Sequence, residues 1–164
     1  MAVIRPHQEA DWPQVHDLVV EVAAAGETYA LDVPATEAET REFWTGDHLA
    51  VAVEGDTVLG AAKMGANRPA QGAHVGTASF VVGERARGRG TGRRLGEYAV
   101  AWHRDHGFRG IQFNAVVSTN TVAVSLWKSL GFEVVGTVPG AFRRPDSSYA
   151  DLHVMYLDLE SDPA

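Results

Sequence analysis

The sequence predicts a single α/β domain, and three observations support this fold class. Its 164 residues suffice for one well-packed domain but are few for two, and no linker-like or low-complexity stretch interrupts them. Apolar residues alternate with a period of two in some segments and recur with the helical period in others. Residues 75–117 are expected to form a strand, a glycine-rich loop, a helix and a strand, the order typical of a right-handed crossover between parallel strands.

The first half of the chain predicts two helices among four strands. Apolar residues recur at helical spacing from Trp12 to Val22, which predicts the first helix. A capping-box pattern at residues 36–39 predicts a second helix over residues 37–44. The turn signal at residues 54–56 predicts a hairpin. The expected strands are residues 2–5, 49–53, 57–63 and 75–82.

The second half predicts two more helices and three more strands. An apolar face from Leu95 to Trp102 predicts the third helix, which closes near Gly107. Apolar residues at helical spacing between residues 122 and 130 predict the fourth, which Gly131 stops. The expected strands are residues 111–117, 132–138 and 149–159.

The most informative segment is RGRGTGRR at residues 87–94. Its glycines allow positive φ and a close backbone approach to a ligand, and its free N–H groups lead into a helix N-terminus, which favours phosphate oxygens. Five of the fourteen Lys and Arg residues lie between Arg85 and Arg94, without one acid, in a chain of net charge −7. This concentration of positive charge predicts a polyphosphate ligand.

Two familiar phosphate-binding loops do not fit this segment. A Walker A loop requires a lysine after its last glycine, whereas Arg93 follows Gly92 here. A kinase-like function is therefore the least supported hypothesis. A dinucleotide fingerprint requires a third glycine where Arg93 stands and an acid at the end of the next strand, yet residues 117–120 contain none.

The pattern that remains is Arg-x-x-Gly-x-Gly, formed by Arg87, Gly90 and Gly92, and it resembles the GNAT superfamily of acetyl-CoA-dependent N-acyltransferases. Val82 stands five residues before Arg87, which is the family's spacing for the strand residue beside the thioester. The segment NTVAVSLWKSLGF at residues 120–132 resembles the family's second signature. The resemblance covers residues 49–159 in order.

The resemblance implies a fold and a set of residues that bind acetyl-CoA. The fold is one N-acetyltransferase domain over residues 1–164, with a mixed, mostly antiparallel sheet of about seven strands, a parallel central pair and about four helices. The strand backbone would pair with the pantetheine arm, N–H groups from Gly88 to Arg93 would hold the pyrophosphate, and Asn120 would bind the pantetheine or phosphate region. The implied cofactor-binding residues are Val81, Val82, Arg87, Gly88, Arg89, Gly90, Thr91, Gly92, Arg93, Asn120, Trp127 and Lys128.

Three residues are candidates for the chemistry. The family implies that the N–H of Val82 stabilises the oxyanion. Many relatives have a tyrosine where this chain has Trp127, and an indole cannot protonate the leaving sulfur, so Trp127 is expected to pack and Tyr98 has no support as a substitute. The strand before the loop carries no carboxylate, which leaves His74 as a candidate base. Asn114 is the third candidate, as a substrate contact or as a residue that bonds the backbone at a sheet irregularity.

The expected acceptor is a small amine. The segment FNAVVSTN at residues 113–120, the loop around Asn67 and the stretch LWKSLGF resemble the GNAT branch that includes yeast azetidine-2-carboxylate acetyltransferases, with phosphinothricin-type enzymes as a neighbouring possibility. The branch implies an amino or imino acid as substrate. The loop after the first helix offers Glu27, also explicable as a surface acid, and Tyr29. Residues 142–144 are expected in a late loop that closes over acceptors.

Several function classes are excluded or left as rivals. A net acidic chain is a poor nucleic-acid binder, no apolar run could span a bilayer, and without cysteine there is neither a disulfide nor an acyl-thioester carrier. His103 and His106 lack a third ligand, so we expect no metal. We therefore expect a cytoplasmic enzyme that transfers acetyl directly in a ternary complex, with a homodimer as an option. The rivals are acetylation of a protein N-terminus or lysine, and a catalytically silent acyl-CoA sensor.

Overall fold

The computed structural model describes residues 1–161, and their backbone forms one mixed sheet with helices on both faces. The strands are β1 Val3–Pro6, β2 His48–Glu54, β3 Thr57–Ala66, β4 Val75–Val82, β5 Gly110–Val117, β6 Glu133–Arg143 and β7 Tyr149–Asp158. The helices are α1 Trp12–Ala25, α2 Glu37–Phe43, α3 Thr91–Asp105 and α4 Thr121–Ser129. The α/β class, the seven strands and the four helices agree with the sequence prediction. The expected domain bounds also include residues 162–164, which lie outside the described residues.

The sheet has the order β1-β2-β3-β4-β5-β7-β6, and only β4 and β5 run parallel. This is the mixed, mostly antiparallel sheet with a parallel central pair that the sequence resemblance implied. The helix that joins the parallel pair is α3, so the glycine loop lies at the carboxyl end of β4, as expected for a crossover connection.

The two faces of the sheet have separate cores because side chains alternate along each strand. Ala61 of β3 packs on the α1 and α2 side with Val19 and Val51, whereas the next residue, Ala62, packs on the opposite side with Leu95 of α3. A third cluster, between β5, β7 and α4, is built around Phe113. We refer below to the face covered by α1 and α2 as the α1 face and to the opposite one as the α3 face.

Strand β6 is longer than predicted, which corrects the placement of residues 142–144. Phe142 and Arg143 pair with Ala150 and Tyr149 of β7 within the sheet, and Phe142 is buried. Two irregularities in register, after Val134 and after Val138, let the strand continue through a segment whose proline and glycine had suggested an end. Only Arg144 lies in the turn beyond the strand, so these residues do not form a loop over an acceptor.

Strands β4 and β5 pair at two positions only, Val75 with Gly110 and Gly76 with Ile111. At this junction His103 of α3 packs directly on the backbone of Gly76, where an added Cβ atom would lie 2.2 Å from the ring Cδ2. Only glycine permits this contact. The ring of His103 is fully buried, its Nδ1 lies 2.7 Å from the carbonyl oxygen of Ala99, and burial lowers its pKa.

The buried ring of His103 predicts a loss of stability on acidification. Because its pKa is lower in the folded than in the unfolded protein, the unfolded chain binds the proton first as pH falls below about 6.5. Stability is therefore retained above that pH and declines below it. We expect His103→Asn to reduce the slope of unfolding free energy against pH between 5 and 7, by at most about 1.4 kcal/mol per pH unit.

The measurement is urea unfolding at several pH values, with His106→Asn as the matched control. His106 lies on the same helix and its Nδ1 is also 2.7 Å from the carbonyl oxygen four residues earlier, but it is exposed. An equal reduction of the slope in both variants would show that burial at Gly76 is not the cause.

Candidate active site

The gap between β4 and β5 is the central feature of the candidate site. From Thr77 onwards β4 has no pairing partner on β5 within residues 1–161, although its other edge stays paired with β3 up to Val82. Backbone N–H and C=O groups on the open edge need other partners. Phe80 shows this directly, because the Tyr29 hydroxyl donates to its carbonyl at 2.7 Å and accepts from its N–H at 2.8 Å.

Alternation along β4 decides which residues face the gap. Since the N–H and C=O of Phe80 point away from β3, those of Ala78 and Val82 do so as well. The N–H and C=O of Val81 point the other way, toward Ala61 of β3. The side chain of Val81 is buried on the α1 face. The backbone N–H and C=O of Val82, predicted to bind the cofactor, thus face the gap, whereas Val81, also predicted to bind it, faces away from the gap. Phe80 was missed, although its place two residues before Val82 was a usable signal.

The glycine loop ends at the N-terminus of α3, and its backbone is shaped for an anion. Gly88 and Gly90 have φ values of +71° and +78°, and Gly90 is the N-cap residue of the helix. The first N–H groups of α3, on Thr91, Gly92 and Arg93, lack carbonyl partners within the helix. The N–H of Arg89 is an exception in the predicted set, since it bonds the carbonyl of Ala86 at 3.3 Å. Such an array of N–H groups at a positive dipole end attracts phosphate oxygens.

The cations around this loop differ in how they are held. The guanidinium of Arg89 lies 2.8 Å from the Glu54 carboxylate, and that of Arg93 donates to the Ser129 hydroxyl at 2.6 Å. Arg87 is exposed, and no carboxylate within residues 1–161 lies within 4 Å of it. Lys128 is exposed on the last turn of α4, next to Ser129. The loop therefore keeps positive charge that the described part of the chain does not neutralise.

Two predicted binding side chains have structural roles in the molecule. The side-chain oxygen of Asn120 accepts from the N–H of Ala123 at 3.1 Å and so caps α4. Thr91 is buried and its methyl group faces Gly60 of β3, which leaves its backbone as the part nearest the loop. These contacts explain the residue types without a ligand, and they leave the backbone groups in place.

Trp127 packs in an aromatic cluster beneath the gap, on the α3 face. Its ring centroid lies 4.8 Å from that of Phe80 on β4 and 4.8 Å from that of Phe113 on β5, and Phe132 completes the cluster. The side chain is 7% exposed. The cluster fills the space between the diverging strands, which agrees with the expectation that Trp127 is a packing residue.

Asn114 lies on β5 where the pairing with β7 shifts register between Phe113 and Val116. Its amide exchanges two hydrogen bonds with the amide of Asn67, at 2.7 and 3.2 Å, and accepts another from Gln112 at 2.9 Å. Asn114 is therefore at a sheet irregularity, as expected, but it bonds side chains of the β3–β4 connection and of its own strand. Both segments that the sequence singled out, around Asn67 and Asn114, meet here.

The structure separates His74 from the gap and leaves Glu27 exposed. His74 is exposed and precedes β4, whereas Val82 ends that strand, about 26 Å away at 3.3 Å per residue. That distance does not fit a base that acts beside Val82. Glu27 is exposed in the connection between α1 and α2, where no ion pair within residues 1–161 involves it.

Residues 1–161 contain neither a cluster of metal-binding side chains nor a membrane-spanning helix. No group of three or more His, Cys, Asp or Glu side chains is placed to hold a metal ion there, and His103 and His106 each direct Nδ1 to a helix carbonyl. Among these residues there is also no helix long and apolar enough to cross a bilayer.

Solved structures share this architecture over almost the whole chain. A GCN5-related N-acetyltransferase from Kribbella flavida is 50% identical, with a TM-score of 0.91 over 96% of this chain and 97% of the other. A phosphinothricin acetyltransferase from Sinorhizobium meliloti in complex with acetyl-CoA is 22% identical, with a TM-score of 0.87 over 99% and 93% of the two chains, and shows the common fold.

A curated relative matches a shorter segment. Protein SPT10 of Saccharomyces cerevisiae is 33% identical over 73 residues, which are 44% of this chain and 11% of that protein. The chain thus aligns with about a tenth of the length of this relative.

The family model described as the acetyltransferase (GNAT) family matches residues 9–132, which include β4, the glycine loop, α3, β5 and α4. The open edge of β4, the N–H groups at the start of α3 and the signature segment of α4 all fall within that match. The chain belongs to the acetyltransferase (GNAT) family and is an N-acetyltransferase.

Proposed function

We propose that this protein, acting as one N-acetyltransferase domain, transfers the acetyl group of acetyl-CoA to the amine of a small amino- or imino-acid-like molecule by direct attack in a ternary complex. The observation that carries the proposal is the open edge of β4, which leads directly into the anion-binding loop at the start of α3. A ligand with an extended amide-bearing arm and a diphosphate matches both parts at once. The acetyl-CoA held by the related Sinorhizobium meliloti enzyme supports the same donor here.

In this proposal the backbone binds most of the donor. The N–H groups of Gly90 to Arg93 bond the diphosphate, and Arg87 and Lys128 supply positive charge around it. The pantetheine arm adds to the open edge as an extra strand would, so it pairs with Val82 and with Phe80 two residues earlier. Because the side-chain oxygen of Asn120 caps α4, its N–H₂ group is the part of this side chain that would bind the donor.

The chemical step needs an unprotonated amine, a stabilised oxyanion and a leaving thiolate. The amine nitrogen attacks the thioester carbon, and the oxyanion is held by the N–H of Val82 or Phe80. The C–S bond then breaks to release thiolate, which takes up, directly or through water, the proton that the attacking nitrogen loses. A thiol pKa of about 8.5 makes thiolate a tolerable leaving group near neutrality without an acid at Trp127. The oxygen of Tyr29 keeps its proton at that pH, because burial raises its pKa to about 12.

The position of His74 bears on the choice of acceptor. An α-amine with a pKa near 8 is neutral in roughly one molecule in ten at pH 7, whereas a lysine side chain is neutral in about one in two thousand. Without a strong base beside the gap, the chain is suited to an acceptor that loses its proton readily. The value of about 8 is that of a peptide α-amine, so this argument disfavours a lysine side chain, and the choice of an amino or imino acid rests on the resemblance to the azetidine-2-carboxylate branch.

The proposed function is tested by thiol release from acetyl-CoA over a panel of free amino acids, imino acids, polyamines and lysine peptides. We expect release with small amino or imino acids, at rates well above those with lysine peptides, as the resemblance to the azetidine-2-carboxylate branch implies. A strong preference for lysine peptides would favour the protein-acetylation alternative. No release with any amine, despite CoA binding, would favour a silent sensor.

The glycine loop gives a prediction with a close structural control. Gly90 and Gly107 have φ values of +78° and +75°, and an added Cβ atom meets nothing within 4 Å at either position. Alanine at either site should cost about 1–2 kcal/mol of stability through left-handed strain. Only Gly90→Ala should also weaken CoA binding, about tenfold, because it distorts the N–H array.

Calorimetric titration with CoA and urea unfolding of both variants measure the two effects. Equal loss of CoA affinity in Gly90→Ala and Gly107→Ala would show that general destabilisation, and not the loop, is responsible.

Tyr29 gives a prediction of the opposite sign. Its hydroxyl occupies the two backbone groups of Phe80 that the pantetheine arm would take, so the arm must displace it. We expect Tyr29→Phe to bind CoA about two- to tenfold more tightly, since a hydrogen bond contributes a net 0.5–1.5 kcal/mol. Calorimetry against the exposed control Tyr149→Phe tests this, and weaker binding in Tyr29→Phe would contradict it.

A further inference from the structure

A cavity of about 180 Å³ lies on the α1 face, bounded by β3, β4 and the connection between α2 and β2. It is lined by Lys63 of β3, by Thr77 and Ser79 of β4, and by Asp47 of the connection between α2 and β2. Its volume equals the liquid volume of about six water molecules. This suits a small amino acid or the polar end of a larger one.

Lys63 is the unusual residue of this cavity. Its ammonium is half-buried, donates to the carbonyl oxygen of Phe43 at 2.5 Å and lies 5.5 Å from the centroid of the Trp44 ring. Within residues 1–161 no carboxylate lies within 4 Å of it. An ammonium has three N–H donors, so the Phe43 carbonyl leaves two of them for another acceptor. A half-buried cation without a counter-charge is costly, and burial accordingly lowers the pKa of Lys63.

Asp47 does not satisfy this charge. Its carboxylate accepts the N–H of Ala66 at 3.1 Å and packs against the backbone at Gly65, beyond ion-pair distance from Lys63. The remaining polar groups of the cavity that face Lys63 from β4 are the hydroxyls of Thr77 and Ser79. The cavity thus has a positive centre with hydroxyl donors beside it, which is the chemistry that binds a carboxylate.

The cavity borders the part of β4 whose other edge faces the gap. Lys63 stands directly opposite Ser79 in the β3–β4 pairing, and Ser79 precedes Phe80, whose backbone faces the gap. Adjacent strands lie about 4.8 Å apart. The open edge lies on the other side of β4, so an acceptor whose carboxylate binds at Lys63 must reach across β4 to place its α-amine near the thioester.

We propose that this cavity is the acceptor subsite and that the Lys63 ammonium binds the carboxylate of an α-amino or imino acid acceptor. The assignment rests on the proposed function and extends it by naming the residue that selects the substrate class. Lys63 is then a specificity-determining residue. It takes no part in bond making, and its charge positions the acceptor.

The experiment compares each acceptor with its own carboxamide, which keeps the amine and removes the negative charge. Wild-type protein should have a much lower KM for the carboxylate form than for the carboxamide. Lys63→Gln should raise the KM for the carboxylate at least about tenfold, the value of a charge-assisted hydrogen bond, and leave the KM for the carboxamide and for acetyl-CoA within about twofold. Lys63→Arg keeps the charge and should retain most of the preference.

The control variant is Arg109→Gln, which removes an exposed cation paired with Glu160 outside the cavity and should change neither KM. Thermal unfolding with and without CoA shows whether each variant is folded, and the wild-type comparison of carboxylate with carboxamide needs no variant at all. Acetylation of both forms with equal KM, or an equal rise of both KM values in Lys63→Gln, would overturn the subsite while the proposed function stands. CoA binding without acetylation of any amine would overturn both.

Discussion

The early end of pairing between β4 and β5 is the constraint on which the rest of the site depends. Two positions pair, at Val75 and Gly76, and beyond them the inner edge of β4 has no strand beside it. An unpaired edge in the middle of a sheet leaves backbone groups that must find other partners. Tyr29 bonds both backbone groups of Phe80 from the α1 side, and in the proposed complex the donor's arm takes its place and also pairs with Val82.

The separation of the two strands is maintained by packing. On the α3 face the rings of Phe80, Phe113, Trp127 and Phe132 fill the space under the diverging strands, with centroids 4.3 to 6.1 Å apart. At the closed end, His103 rests on Gly76 and fixes the point where pairing stops. Because packed aromatic side chains resist compression, this cluster keeps the two strands apart.

The two faces of the gap differ in electrostatic character. The α3 face ends in the glycine loop and its arginines, which suit the diphosphate of a donor. The α1 face carries a cavity lined by the half-buried ammonium of Lys63, which suits a single carboxylate. Donor and acceptor would thus reach the same strand from opposite sides and could be bound at the same time. Direct transfer without a covalent enzyme intermediate requires this simultaneous binding.

Much of the fold and part of the site could be predicted because the signals are local. Apolar periodicity, one capping-box pattern and one turn signal together indicated all four helices and seven strands, and the glycines at residues 88 and 90 indicated the positive φ that the structure contains. The predicted end of β6 was wrong, because the shifts in register that let the strand continue depend on its pairing with β7. No residue close in sequence indicates this pairing. His74 was predicted as a base because it lies next to β4, without regard to its distance from Val82 along the strand. The structure places it at the opposite end of β4 from Val82.

The sequence by itself determined the secondary-structure elements, the glycine loop and the family. Each of these depends on residues within about one helical turn or one strand of each other. The tertiary structure decided which edge of β4 is open, which backbone groups face it, and what surrounds Lys63. These depend on contacts such as that of Tyr29 with Phe80, 51 residues apart, and Lys63 with Phe43, 20 residues apart. Long-range contacts of this kind are set by the packing of whole helices on the sheet, and residue spacing carries no direct record of them.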